Sequence, residues 1–167
     1  MAKDFVDRFL SEWASNDPPR DYLRMEVPLR IMRIAAHFER NLAPVLKPFG
    51  LKTGQFQVLT ALRRLHPRAL TPKQLGEAAI LTSGAITPVL DQLEAAGLVT
   101  RADDPGDRRG VLVSLTAKGK RMTDAALRAR MDDVLRSVAT LSSSESSRLA
   151  AGLRSVLAAI ETVGGKA

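Results

Sequence analysis

The chain has 167 residues, 45% hydrophobic and 26% charged, a balance that suits one domain or a compact pair of lobes with a real core. Its lack of cysteine excludes disulfides and thiolate chemistry, two histidines leave little for a metal site, and no apolar run reaches bilayer length, so no cofactor, metal or membrane contact is expected. The start MAKDFVDRFL is amphipathic and mixed in charge rather than a signal peptide, which makes the cytoplasm the expected address, and the net charge of +7 favours a polyanionic partner.

In chain order, Phe5, Phe9 and Trp13 at spacings of four predict a short helix over about 4–14. The stretch SNDPPRDYL then breaks it, because neither Pro18 nor Pro19 donates a backbone N–H. A long helix follows from about Val27 to Lys47, with Pro28 tolerated in its first turn and Pro48 and Gly50 ending it. Thr53 is placed to cap a helix carrying Phe56, Leu59, Leu62 and Leu65. Thr71, Pro72 and Gln74 combine a cap, a preorganised first residue and a capping-box partner for a short helix to about Ala79. The next helix spans about Ser83 to Ala96, with Ile86, Val89, Leu90 and Leu93 inward and Gly97 as its stop. Two β-prone runs, Leu98–Arg101 and Val111–Leu115, then flank a charged turn. Thr116 caps a helix to about Ala139, and the box of Ser142 with Glu145 opens a last one to about Thr162. The brief connection between these two predicts antiparallel neighbours, and residues 164–167 are expected to fray.

The +7 is not spread evenly. Residues 51–121 carry 11 Lys/Arg against 6 Asp/Glu, whereas residues 1–50 and 122–167 each carry an excess of one. No aromatic residue follows Phe56, so the basic segment has no ring on which an unpaired base could stack, and a duplex is the expected nucleic acid. Within that segment, two short helices joined by ILTS make a helix-turn-helix, and the hairpin directly after them has the place of a wing beside the groove-bound helix. The expected class is mainly α with a small β-hairpin: a winged helix-turn-helix flanked by amino- and carboxy-terminal helices.

The stretch LTPKQLGEAAILTSGAITPVLDQLEAAGLVTRADDPGDRRGVLVSLTAKGK resembles the MarR family of bacterial winged-helix regulators, most specifically in DPGDRRG followed by VSLTAKG. The resemblance extends over about Val27 to Ile160. It implies a homodimeric transcriptional regulator, commonly a repressor, bound to a palindromic operator in double-stranded DNA and released by a small aromatic or acidic effector. It also implies three parts: N-terminal helices over 1–50 for dimerisation and ligand contact, a winged DNA-binding domain over 51–116, and C-terminal dimerisation helices over 117–167.

Carried over by position, Arg109 falls where the family places its minor-groove arginine, Asp107 is the acid of that signature, and Arg108 is a further cation for phosphate. Asp103, Asp104 and Asp107 read as turn formers and arginine partners. Thr82, Ser83, Gly84, Thr87, Pro88 and Asp91 are expected on the outer face of the recognition helix, with Thr71, Lys73 and Arg101 also at the interface. The helix has no Arg or Lys between Thr82 and Ala96, so the bidentate arginine–guanine contact is unavailable from it, and phosphate contacts and DNA shape must carry much of the recognition. Pro88 deletes one helical hydrogen bond, which is cheap only where the helix start lies close before it. The Thr87–Pro88 pair is similar to the peroxide-sensing branch, whose cysteine this chain lacks.

For an effector, Trp13, His37, Phe38, Arg40 and Phe56 are the candidate pocket residues, although Trp13 also reads as packing and His37 as a half-exposed helix residue. Trp13 is similar to the urate-responding branch, but Gln57 and Val89 stand where that branch has an acid and an arginine. Arg63 and Arg64 suit either salt bridges or phosphate. No nucleotide loop, zinc-helix motif or nucleophile elbow is present, so an enzyme is not expected. The rival to a DNA regulator is a winged-helix protein-interaction module without operator binding, and the cationic wing tip argues against it.

Overall fold

A computed structural model describes residues 3–16, 22–79 and 81–164, excluding the side chains of Leu23, Ser83, Arg108, Arg109 and Val163. The expected break at Pro18–Pro19 and the fraying of 165–167 lie outside the described residues. The chain divides into two compact units, Met1–Arg130 and Met131–Ala167.

The first unit opens with α1 (Phe5–Asn16) and α2 (Glu26–Leu46), joined by a single 3-10 turn at Tyr22–Met25. The face of α1 that is buried is Val6 and Leu10, at 2% and 5% exposure, not the aromatic stripe. Phe5 instead stacks on Phe9 at 6.0 Å between ring centroids and Phe9 meets Trp13 at a tilt at 6.3 Å, with Phe5 and Trp13 about half exposed. Arg30 on α2 locks α1 in place through Asp4 at 2.9 Å and Asp7 at 2.6 Å. Pro44 lies inside α2, where it supplies no N–H to the carbonyl four residues earlier, and the helix ends two residues later. A 3-10 turn at Lys47–Phe49 follows, closed by Gly50 with φ of 64°.

Three helices build the core: α3 (Thr53–Leu65), α4 (Pro72–Ala79) and α5 (Ser83–Ala95). Their inward residues, among them Val58, Leu59, Leu62, Leu75, Leu90 and Leu93, are at most 2% exposed. The start of α3 differs from expectation. Thr53 is its first helical residue and Lys52 its cap, with Gln55 Oε1 accepting the Lys52 N–H at 2.8 Å. At α4 the expected box is present in both directions: Thr71 N–H donates to Gln74 Oε1 at 3.0 Å and Gln74 N–H to Thr71 Oγ1 at 3.3 Å. The turn into α5 is tight, since Leu81 N–H donates to the Gly76 carbonyl at 2.8 Å and a Cβ on Gly76 would lie 3.3 Å from the Leu81 oxygen.

Strands β1 (Val99–Asp104) and β2 (Asp107–Leu115) form an antiparallel hairpin, longer toward its tip than the β-prone runs predict. Leu70, just before α4, exchanges two backbone hydrogen bonds with Val113 at 3.0 and 2.9 Å and so fastens β2 to the helical core. Helix α6 (Ala117–Ser137) starts at the expected Thr116 cap, whose Oγ1 accepts Gly119 N–H at 2.9 Å. Gly119 is obligatory by contact: a Cβ there would overlap the Leu98 carbonyl. The last helix, α7 (Ser143–Gly164), begins at the expected box, with Ser142 N–H donating to Glu145 Oε2 at 2.9 Å. Leu149, Leu153, Leu157 and Ile160 are each about half exposed or more.

Candidate nucleic-acid interface

The expected contact face of α5 exists as a surface. Gly84, Thr87, Pro88 and Asp91 follow helical spacing and are all exposed, while Ile86, Leu90 and Leu93 on the opposite side are buried. Thr82 is the N-cap; its hydroxyl makes no capping bond and its side chain is exposed. The backbone of Ser83 opens the helix, and its side chain lies outside the described residues. Pro88 is the sixth residue of α5, so the helix starts five residues before it rather than immediately before, and the lost hydrogen bond falls in the helix body. Lys73 on α4 and Thr87 on α5 line one groove of about 440 Å³ between the two helices, together with Gly76 and Leu81. Thr71, by contrast, has its hydroxyl engaged in the α4 cap.

Three attachments hold α5 in place. Gln55 Nε2 donates to Gln92 Oε1 at 3.1 Å, tying it to α3. At its C-terminal end Gly97 takes φ of 68°, and the carbonyls beyond the last turn find donors on α6 and its cap. Lys118 Nζ donates to the Ala96 oxygen at 2.8 Å, Thr116 Oγ1 to the Gly97 oxygen at 2.8 Å, and Thr116 N–H to the Leu98 oxygen at 3.1 Å. The third attachment is Arg101 on β1, which donates to Asp91 Oδ1 at 2.7 Å and to Glu94 Oε2 at 2.8 Å. These bonds, Asp91 first, raise the Arg101 pKa above its ordinary value. Two residues expected at the DNA surface, Asp91 and Arg101, are thus bonded to one another.

The wing tip is irregular. Asp103 pairs with Val111 and Asp104 with Asp107, so Arg108, Arg109 and Gly110 are extra residues on β2, a bulge. Asp104 Oδ1 accepts Gly106 N–H at 2.9 Å, which makes it the turn former expected of it. Gly110 is needed there, because a Cβ would lie 2.9 Å from the Asp104 Cβ. Asp107 is exposed at the base of the bulge. The side chains of Arg108 and Arg109 lie outside the described residues; their backbone places both at the tip, where the ladder is interrupted.

The effector candidates are dispersed. Phe56 is a core residue at 7% exposure. Trp13 stacks on Tyr22 at 6.1 Å and is half exposed. His37 is exposed, meets Phe38 edge-on at 5.7 Å and shares a hydrogen bond with Asn41 at 3.1 Å. The Phe38 carbonyl accepts from Arg130 at 2.8 Å, and Arg40 is exposed. A separate cavity of about 280 Å³ lies between α3 and α4, lined by Gln57, Thr60, Ala61, Arg64, Ala78 and Ala79, none of them among the five. Arg63 resolves as a salt bridge, with Nε 2.6 Å from Asp124 Oδ1.

Sequence reading missed Glu94 and Gln92, exposed on α5, and Lys118, exposed on α6, whose hydrogen bonds orient the recognition helix. Glu94 carries a local signal, an acid three residues after Asp91, but its partner is set by where the hairpin folds back. Among the described residues no cluster of His, Asp or Glu could hold a metal ion, and no helix is long and apolar enough to cross a membrane.

A short helix, a tight turn, an exposed second helix and a hairpin pinned beside it define a winged helix-turn-helix, a DNA-binding class of protein. A family model described as MarR family matches residues 49–110. The regulator PecS of Dickeya dadantii is 32% identical over 115 residues, which span 68% of this chain and 69% of that protein. The organic hydroperoxide resistance transcriptional regulator of Bacillus subtilis is 32% identical over 109 residues, spanning 64% and 73%. The crystal structure of a mutant MarR from Escherichia coli superposes with a TM-score of 0.70 at 30% identity, covering 78% of this chain and 95% of that one. The chain belongs to the MarR family and is a DNA-binding transcriptional regulator.

Proposed function

We propose that the protein acts as a homodimeric repressor that sits on a palindromic operator and leaves it when a small aromatic or acidic ligand binds. The observation that carries the dimer is the apolar row on α7. Leu149, Leu153, Leu157 and Ile160 on α7 are 49–61% exposed, a surface that needs a partner. Met32 and Ile34 on α2 are exposed in the same way, at 64% and 53%. A two-fold dimer then presents two recognition helices to two half-sites, which explains operator symmetry.

In this reading Thr82, Ser83, Gly84, Thr87 and Pro88 meet base edges and phosphates in the major groove, with Thr71 and Lys73 on the flanking backbone. Asp107 orients the tip, Arg108 meets phosphate and Arg109 enters the minor groove. The resemblance supports an effector site among Trp13, His37, Phe38, Arg40 and Phe56. The scatter of these residues in a single chain makes Trp13 and Phe38 the ones to test, since Phe56 is committed to the core. No catalytic role is assigned, and the cytoplasm is the compartment in which such a regulator works.

Light scattering together with fluorescence anisotropy tests the proposal. The expected result is twice the chain mass and tight, salt-sensitive binding to the protein's own upstream DNA over a scrambled duplex. A monomer that binds neither duplex at low salt would move the reading to the protein-interaction module.

A further inference from the structure

The recognition helix has a charge that works against its task. Over Ser83–Ala95 its only charged residues are Asp91 and Glu94, a formal −2 facing a polyanion. Both carboxylates are turned to one guanidinium, that of Arg101 on β1, at 2.7 and 2.8 Å. Strand alternation fixes the direction of that side chain. Val99 is buried, Thr100 and Ala102 are exposed, and Arg101 is intermediate opposite the fully buried Val113. Arg101 is therefore on the face of the hairpin that packs against the domain.

We propose that Arg101 is a positioning residue of the DNA interface: gripped by Asp91 and Glu94, it fixes the wing against the recognition helix and acts on binding through Arg109 at the tip rather than by contacting phosphate. The inference rests on the DNA-binding reading and adds to it a residue whose charge is spent inside the protein. Two acids and one base leave this cluster at −1, so it gives phosphate no net attraction. With Asp91 58% and Glu94 41% exposed, such a pair contributes little to stability, and its consequence is geometric. From Val99 to Asp104 the strand is about 16 Å long, so a tilt of about 10° at its base moves the tip by about 3 Å, more than a hydrogen bond tolerates. Two attachments one turn apart on α5 oppose that tilt.

The test uses the full-length protein and a duplex that the wild type enriches from a random library, with anisotropy titrations over a range of salt. Arg101→Met is expected to lower affinity about tenfold in the wild type but less than about twofold in an Arg109→Ala background, with the slope of log K against log salt unchanged by the Arg101 substitution. Arg101→Lys, which keeps the charge and loses the fork, should behave like the methionine variant. Asp91→Asn with Glu94→Gln should also weaken binding, although it removes two negative charges from the surface that meets DNA. A loss of equal size in both backgrounds, a slope shallower by about one and full activity of Arg101→Lys would identify a phosphate contact and overturn the proposal. Wild-type binding by Arg101→Met would overturn it while leaving the regulator reading intact. Failure of the wild type to enrich any duplex would overturn both.

Discussion

Helices α5 and α7 carry the same kind of apolar row and put it to opposite use. On α5, Ile86, Leu90 and Leu93 are at most 4% exposed and close the core with Leu59, Leu62 and Leu75. On α7, Leu149, Leu153, Leu157 and Ile160 remain about half exposed or more. Periodicity registers only that a helix has an apolar side; whether that side is covered by the same chain or by a second one depends on what the neighbouring elements leave open. The outer face of α5 can be given to DNA because its inner face is fixed by its own chain. The exposed row of α7 is the surface from which a dimer would be made.

Four predictions probe that contrast. The largest effect is expected for Leu153→Glu, which places a charge in the proposed dimer contact. The variant should elute as a monomer and lose measurable operator binding, whereas a stable dimer would show that the α7 row is not the contact. Leu90→Ala should instead act inside the chain, lowering unfolding free energy by about 2–5 kcal/mol in denaturant titrations, with the mass in light scattering the same as that of the wild type. Arg109→Ala should cost about 1–3 kcal/mol of operator binding with no change in melting temperature or mass. The smallest effect concerns Asp124 on α6, whose carboxyl is held below the usual carboxylate range by its hydrogen bond to Arg63. A depressed folded-state pKa stabilises the fold above the ordinary carboxylate value, and that contribution is lost as pH falls through the folded value. Wild-type stability should therefore decline on acidification more steeply than that of Asp124→Asn, as read by urea unfolding at about pH 3 and pH 6. Parallel declines would show that the bridge does not contribute.

Much of the fold was legible because it is written in local chemistry. The boxes Thr71–Gln74 and Ser142–Glu145, the Thr116 cap and the Gly97 stop each rest on residues within a turn of one another, and each is present. What was not legible depends on long-range closure. The Leu70–Val113 bridge joins positions more than 40 residues apart. In α1 the buried residues are Val6 and Leu10, whereas Phe5 of the aromatic stripe is half exposed under the Arg33 guanidinium of α2. At the interface, the outward spacing of Gly84, Thr87, Pro88 and Asp91 could be read from the helix period. The clamp on Arg101 could not, since it exists only after the hairpin folds back onto α5. The place of Pro88 in the body of α5, by contrast, follows from the helix start at Ser83 that the sequence already indicated.

The most direct test of the central claim, a duplex read by helix and wing together, is a hydroxyl-radical footprint of the wild type and of Arg109→Ala at saturating protein on one selected duplex. The predicted result is two symmetric minor-groove protections in the wild type that vanish in Arg109→Ala, while protection of guanine N7 from dimethyl sulfate in the major groove between them persists. Identical footprints for the two proteins would contradict it.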